Sequence, residues 1–245
     1  SNLGHSSKAL GFTAGFTGEA LENMLKEFGC DTAFIRLPEG STRINVKINA
    51  GEETEINGQG PVITEEAQQA LFEQLDALKK EDILVLAGSI PNTLPSDIYE
   101  RILEHLQGRG IHFVVDATKE LLLKVLKYHP FLIKPNNHEL GEMFGVTLKT
   151  RDEIVTYAKK LQEMGAENVL VSMAGDGAIL LTEDGIIYKA KPPKGKVLNS
   201  VGAGDSMVAG FLTGYLNTGE YEKAFRLGVV TGSATAFQYW LATKE

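Results

Sequence analysis

Cysteine, tryptophan and proline are scarce here: one, one and eight in 245 residues. A lone Cys30 excludes an internal disulfide framework and any metal site built from several cysteines, and it suits a reducing cytoplasm. No apolar run approaches the ~20 residues of a membrane-spanning helix, and no signal peptide is visible, so neither a membrane partner nor export is expected. Positive charge is short as well. Lys and Arg total 24 against 32 Asp and Glu, for a net charge of −8 at pH 7. Nucleic acid and anionic membranes need concentrated cations, so both are expected to be absent as partners. Small phosphorylated molecules stay open, because a few placed cations and a Mg²⁺ ion suffice for them.

Several motifs are missing too. The five histidines, His5, His105, His112, His129 and His138, show no pair at zinc-site spacing. There is no Gly-x4-Gly-Lys-Ser/Thr loop and no Gly-x-Ser-x-Gly elbow. The dinucleotide fingerprint fails twice: Gly202-x-Gly204 meets Met207, and Gly175-x-Gly177 meets Leu180, where Gly or Ala is needed. An α/β oxidoreductase is thereby opposed.

Regular alternation is what the sequence does have. From Thr64 onward, amphipathic helices over 64–79, 96–107, 118–127, 138–144 and 151–164 separate short apolar runs at 83–87, 111–115, 131–134 and 168–172. That pattern predicts a mainly parallel sheet covered by helices on both faces, an α/β architecture in one domain over 1–245. Two further strands, 178–181 and 186–189, read as an antiparallel edge. Ahead of the alternation, Lys8 to Phe12 reads as a strand, Gly15 to Gly18 as a turn, Glu19 to Phe28 as a helix and Thr32 to Leu37 as a strand. Residues 42–58 read as a β-hairpin, with Ile44, Val46 and Ile48 on a dry face and Arg43, Asn45 and Lys47 on a wet one. The wet face suits either solvent or a phosphorylated ligand. A bare hairpin is marginal, so its dry face is expected to pack on something, as a lid over a site or on another subunit's lid.

In parallel sheets ligands gather beyond the carboxyl ends of the strands. Those ends carry Gly88-Ser89, Asp116, Lys134 to Glu139, and the turn Ser172-Met173-Ala174-Gly175-Asp176-Gly177. Asn136 and Glu139, three apart at a helix start, read as a capping box or as a holder for hydrated Mg²⁺. The glycine turn, on its pattern, suits a plain hairpin connection. Asp116 suits orientation of loops or sugar, and Ser89 a turn or a substrate contact. The small-sided run Gly232 to Ala236 admits either a close helix or a flat ring.

The most informative stretch is Asn199-Ser200-Val201-Gly202-Ala203-Gly204-Asp205-Ser206. Apolar residues at Met207, Val208, Phe211, Leu212, Tyr215 and Leu216 recur at helical spacing, so a helix begins near Ala203. Gly202 and Gly204 then stand at a helix N-terminus, where unpaired backbone N–H groups and the positive dipole end favour an anion. Asp205, in the first turn, suits either dipole complementation or proton acceptance from an attacking hydroxyl.

This octapeptide resembles the second signature of the PfkB (ribokinase-like) family of sugar kinases. TRINVKI at 42–48, ETEINGQG at 53–60, LAGSIP at 86–91, KPNNHELGEM at 134–143 and SMAGDGA at 172–178 resemble the same family, so the likeness spans nearly the whole chain. The resemblance implies a ribokinase-like α/β fold with a small β lid that often mediates homodimers, and a cytoplasmic kinase using ATP and Mg²⁺. It implies an anion hole from Gly202, Ala203 and Gly204 with Asp205 as catalytic base. It implies nucleotide binding by Lys134, Ser172 to Gly177 and Ser200, Mg²⁺ positioning by Asn136 and Glu139, and substrate contacts from Arg43, Asn45, Ser89 and Asp205, Arg43 gripping an existing phosphate. The branch most resembled phosphorylates fructose 1-phosphate; the next acts on tagatose 6-phosphate, and a catalytically silent sugar-phosphate sensor is the alternative from another class. The family's Gly-Gly sugar-binding segment, with an early Asp, the first strand and part of the lid, is expected to precede Ser1. A final helix and strand are expected beyond Glu245.

Overall fold

The structure, a computed structural model, describes residues 3–49, 53–117 and 119–243. Contacts divide the chain into two compact units, one formed by His5–Lys79 with Ile90–Ile102, the other by Lys80–Ser89 with Leu103 onward.

In the first unit, β1 (Lys8–Ala9) and β2 (Phe12–Ala14) precede α1 (Gly15–Glu27), and β3 (Asp31–Thr32) and β4 (Ile35–Leu37) follow it. β1 pairs with β3 and β2 with β4, both in parallel, so α1 is a crossover. The strand expected over 8–12 is thus two strands, broken at Gly11, and the strand expected over 32–37 is likewise two short pieces. The turn expected at 15–18 is the first turn of α1. Gly18 serves close packing there, since a Cβ on it would lie 2.8 Å from Thr42 Oγ1 and 2.9 Å from Thr13 Cβ. A small core gathers Ala14, Leu37, Ile63 and Ala67, with Phe12, Ile35 and Leu94 against it. α2 (Glu65–Leu75) starts where Thr64 accepts a hydrogen bond from the Ala67 N–H, an ordinary N-cap.

The hairpin is present as β5 (Asn45–Asn49) and β6 (Glu53–Asn57), paired antiparallel with Asn45 opposite Asn57. Its apolar face is uncovered within the single chain. Ile44, Val46 and Ile48 are 61%, 44% and 42% exposed, because among the described residues a two-stranded ribbon brings no second layer to cover them.

The second unit is built on a six-stranded sheet. β7 (Ile83–Ala87), β8 (His112–Asp116), β9 (Leu132–Ile133) and β10 (Asn168–Ser172) are parallel; β11 (Ala178–Leu181) and β12 (Ile187–Ala190) complete it antiparallel, in the order β12-β11-β10-β9-β8-β7. The connections carry α3 (Ile98–Leu106), α4 (Lys119–Val125), α5 (Asn137–Met143) and α6 (Arg151–Glu163). Val114, Val115, Leu132, Ile133, Val169, Leu170 and Val171 are fully buried, as two-sided burial of a parallel sheet requires. β7 departs from that expectation, for it is the edge strand and Val85 stays 42% exposed.

α7 (Ala203–Thr218) and α8 (Tyr221–Ala236) close the unit. They approach to backbone contact: a Cβ on Gly232 would lie 2.9 Å from the Ala203 carbonyl oxygen, and one on Gly228 2.8 Å from that of Met207. The small-sided run thus admits a close helix.

Candidate active site

Three strand ends and two helix starts, all within the second unit, carry the candidate residues described first. β8 ends at Asp116, and β9 runs directly into Lys134. The register puts Val114 beside Leu132 and Val115 beside Ile133, so the next residues, Asp116 and Lys134, are neighbours across the ladder. Their side chains meet: Lys134 Nζ lies 3.2 Å from Asp116 Oδ1, with the lysine side chain 9% and the aspartate 17% exposed. Burial pushes the Asp116 carboxyl above the usual carboxylate range, the Lys134 ammonium pulls it back, and the charges of Asp205 and Glu139 push it up again. The Asp116 carboxylate thus feels one cation in contact and two further carboxylates.

The same ammonium reaches α7. A Cβ on Gly204 would lie 2.9 Å from Lys134 Nζ, so this glycine leaves the ammonium its room. Gly202, the N-cap of α7, has φ +77°, a conformation that suits glycine, and its carbonyl accepts the Ser206 N–H at 2.9 Å. The Ala203 N–H donates to the Ser200 carbonyl at 3.2 Å, which tightens the turn. Asp205 follows in the first turn of α7 and is exposed. The expected helix start at Ala203 is thus met.

The turn 172–177 joins β10 to β11 through a 3-10 turn at Ala174–Asp176. Met173 and Gly177 pair across it at 2.8 Å, Ala174 has φ +45°, and a Cβ on Gly177 would lie 2.0 Å from the Ala190 carbonyl oxygen. It is therefore both a hairpin connection and a shaped loop, with Ala174, Gly175 and Asp176 exposed. Asn136 and Ser172 form an isolated parallel bridge, and the Ser172 N–H donates to the Pro135 carbonyl at 3.1 Å. This ties the loop after β9 to the loop after β10. A cavity of about 280 Å³ beside them is lined by Asn137, Lys149, Arg151, Ile154, Met173 and Asp176, among others.

Asn136 and Glu139 form a complete capping box on α5. The Glu139 N–H donates to Asn136 Oδ1 and the Asn136 N–H to Glu139 Oε2, both at 2.8 Å. One carboxylate oxygen of Glu139 is thus held by the cap. Among the described residues no group of three or more His, Cys, Asp or Glu side chains is arranged to hold a metal. The donors fit a hydrated Mg²⁺, which keeps most of its waters and leans on phosphate; they do not form a cage for a bare cation.

Arg43 and Asn45 belong to the first unit. Arg43 is half-buried, with Gly58 and Gly60 each placing a hypothetical Cβ 3.4 Å from its Cβ; Asn45 is exposed on β5. Ser89 is exposed just after β7, and the N–H of neighbouring Gly88 donates to the Asp116 carbonyl at 3.2 Å.

Three contributors escaped the sequence reading. The Arg151 guanidinium donates to the Asp176 carbonyl and braces the glycine turn. Thr235, buried, shares a 2.8 Å hydrogen bond with Ser206 on α7. Leu241 stands over Gly202, its Cδ2 2.5 Å from where a Cβ would be. None carries a local signal, because each acts through a residue distant in sequence.

Comparison with known proteins gives a consistent picture. The model of the family described as "pfkB family carbohydrate kinase" matches residues 1–243. A 1-phosphofructokinase of Bacillus subtilis is 55% identical over 240 residues, 98% of this chain and 78% of that protein. A D-tagatose-1-phosphate kinase of Bacillus licheniformis is 37% identical over 96% of this chain and 77% of its own length. Among solved structures, phosphofructokinase-2 of Escherichia coli in complex with substrates and products superposes with a TM-score of 0.91, at 28% identity, over 99% of this chain and 80% of that one.

Proposed function

The chain belongs to the pfkB family of carbohydrate kinases, ribokinase-like phosphotransferases with an alcohol group as acceptor, and we propose that it carries the γ-phosphoryl group of ATP to the C6 hydroxyl of fructose 1-phosphate. The observation that carries this reading is the turn at the start of α7. Gly202 in its left-handed conformation, the buried Lys134 ammonium against Gly204 and the exposed Asp205 carboxylate combine a phosphate cradle with a proton acceptor.

Asp205 takes the hydroxyl proton as the C6 oxygen bonds to the γ-phosphorus and the bond to the β-phosphate oxygen breaks, releasing ADP. Backbone amides at Gly202 and Gly204, together with the Lys134 ammonium, stabilise charge on the group in transfer, and the Ala203 amide joins them by leaving the Ser200 carbonyl. Lys134, Ser200 and the turn Ser172 to Gly177 hold the nucleotide. Asn136 and Glu139 would hold hydrated Mg²⁺, which neutralises phosphate charge when bound. Arg43, with Asn45, grips the 1-phosphate, and Ser89 contacts the sugar. The hairpin acts as a lid, and its exposed apolar face suits a homodimer. A cytoplasmic setting supplies the ATP this reading requires.

The test is ADP release by the purified protein with Mg-ATP and fructose 1-phosphate, tagatose 1-phosphate, tagatose 6-phosphate or no sugar. Preference in kcat/KM for fructose 1-phosphate is expected. Preference for a tagatose phosphate would keep the chemistry and change the substrate. No turnover with any sugar phosphate would favour a silent sensor.

A further inference from the structure

We propose that Asp116 is a positioning residue that fixes the Lys134 ammonium against Gly204, so that an arriving nucleotide phosphate meets a cation already in place. This rests on the reading of Lys134 as a nucleotide contact and adds the group that makes the contact effective. A lysine carries its charge on a flexible four-carbon stem, and a buried ammonium without a partner is costly. The sheet removes both difficulties at once. Because β8 and β9 are parallel with Val115 beside Ile133, the next residue on each strand sets the carboxylate beside the ammonium without any loop having to order itself. The 3.2 Å pair is mostly shielded from solvent, and the Gly88 N–H holds the Asp116 carbonyl from the other side.

The ammonium has three N–H donors. Asp116 takes one, and the remaining pair is available to phosphate oxygens above Gly204. The other charges acting on Asp116 at this point are Glu139 and Asp205, both negative. Without Asp116, no ion-pair partner would hold the ammonium beside Gly204. Asp116 itself need not touch nucleotide, sugar or metal.

A double-mutant cycle tests this by calorimetric binding of ATP, without sugar, in EDTA and again with Mg²⁺. Lys134→Met is expected to raise the Kd for ATP about tenfold, and Asp116→Asn, whose amide oxygen still accepts one bond, about three- to tenfold. In the Lys134→Met background, Asp116→Asn is expected to change Kd less than about twofold, because its effect runs through the ammonium. The double variant replaces a buried ion pair by two neutral groups and so leaves neither charge buried without its partner. An equal effect of Asp116→Asn in both backgrounds would overturn the proposal, as would an effect that appears only with Mg²⁺, which would make Asp116 a metal-side group. ATP binding absent from the wild-type protein would overturn the nucleotide reading itself, and this one with it.

Discussion

Asn136 and Ser172 pair backbone to backbone as an isolated parallel bridge, in the register that places Leu132 beside Asn168. Two short motifs far apart in sequence, the start of α5 and the glycine turn after β10, therefore emerge side by side from adjacent strand ends. A phosphate chain laid across that junction would meet both. The geometry is set by the sheet, and the loops only decorate it.

Asp205→Asn keeps the helix start and removes the proton acceptor. The expected outcome is a loss in kcat on the order of 10²–10⁴ with ATP affinity changed only a few-fold. Steady-state kinetics beside direct binding read the two effects separately; near-normal turnover would remove Asp205 from the role of base.

Gly202→Ala forces a side chain into φ +77° and against Leu241. A stability loss of about 1–2 kcal/mol is expected from the backbone alone, with activity falling further as the turn reshapes. Thermal unfolding and kcat/KM measure both. Unchanged values would show that the turn tolerates an ordinary conformation.

The capping box at Asn136 separates a structural role from a ligand role. Asn136→Ala should cost about 1 kcal/mol, whereas Asn136→Asp, which keeps the accepting oxygen, should unfold at close to the wild-type temperature. If Asn136→Asp nevertheless alters the Mg²⁺ concentration needed for half-maximal rate, the amide does more than cap α5.

Glu167 provides a pH prediction away from the site. Burial, and then the nearby Glu183 charge, hold its carboxyl above the usual range, against smaller opposing effects of His112 and His129. The folded state thus binds this proton more tightly than the unfolded chain. Its contribution is fully present below the unfolded pKa of about 4.3 and is lost as pH rises through the higher folded value. Glu167→Gln should therefore gain in Tm relative to wild type as pH rises across that window. A difference independent of pH would exclude the linkage.

Gly232→Val tests the α7–α8 seam. With the Ala203 carbonyl 2.9 Å from the added Cβ, α8 must retreat, and a cost of about 1–3 kcal/mol is expected. Because the carbonyl that loses this packing belongs to the first residue of α7, kcat should fall as well. A stability loss with kcat intact would show that the turn is insulated from the seam.

Features that depend on neighbours in the chain were legible from the residues alone: the alternation of helices and strands, the helix start at Ala203, the antiparallel edge after Gly177, and the octapeptide whose chemistry suggested phosphoryl transfer. These are encoded by periodicity, by glycine and by capping residues, all local in reach. Boundaries moved where a glycine served packing, as at Gly18 in α1, since one residue type answers both to a turn and to close approach. Long-range contacts were not legible in this way: that Asp116 faces Lys134, that Lys134 reaches Gly204, that Arg151 braces the turn at Asp176, and that Ile44, Val46 and Ile48 are left uncovered within the single chain. Each of those depends on strand order and on which layer covers which face. No window of sequence holds that information, because it arises when segments tens of residues apart are brought within a few ångströms.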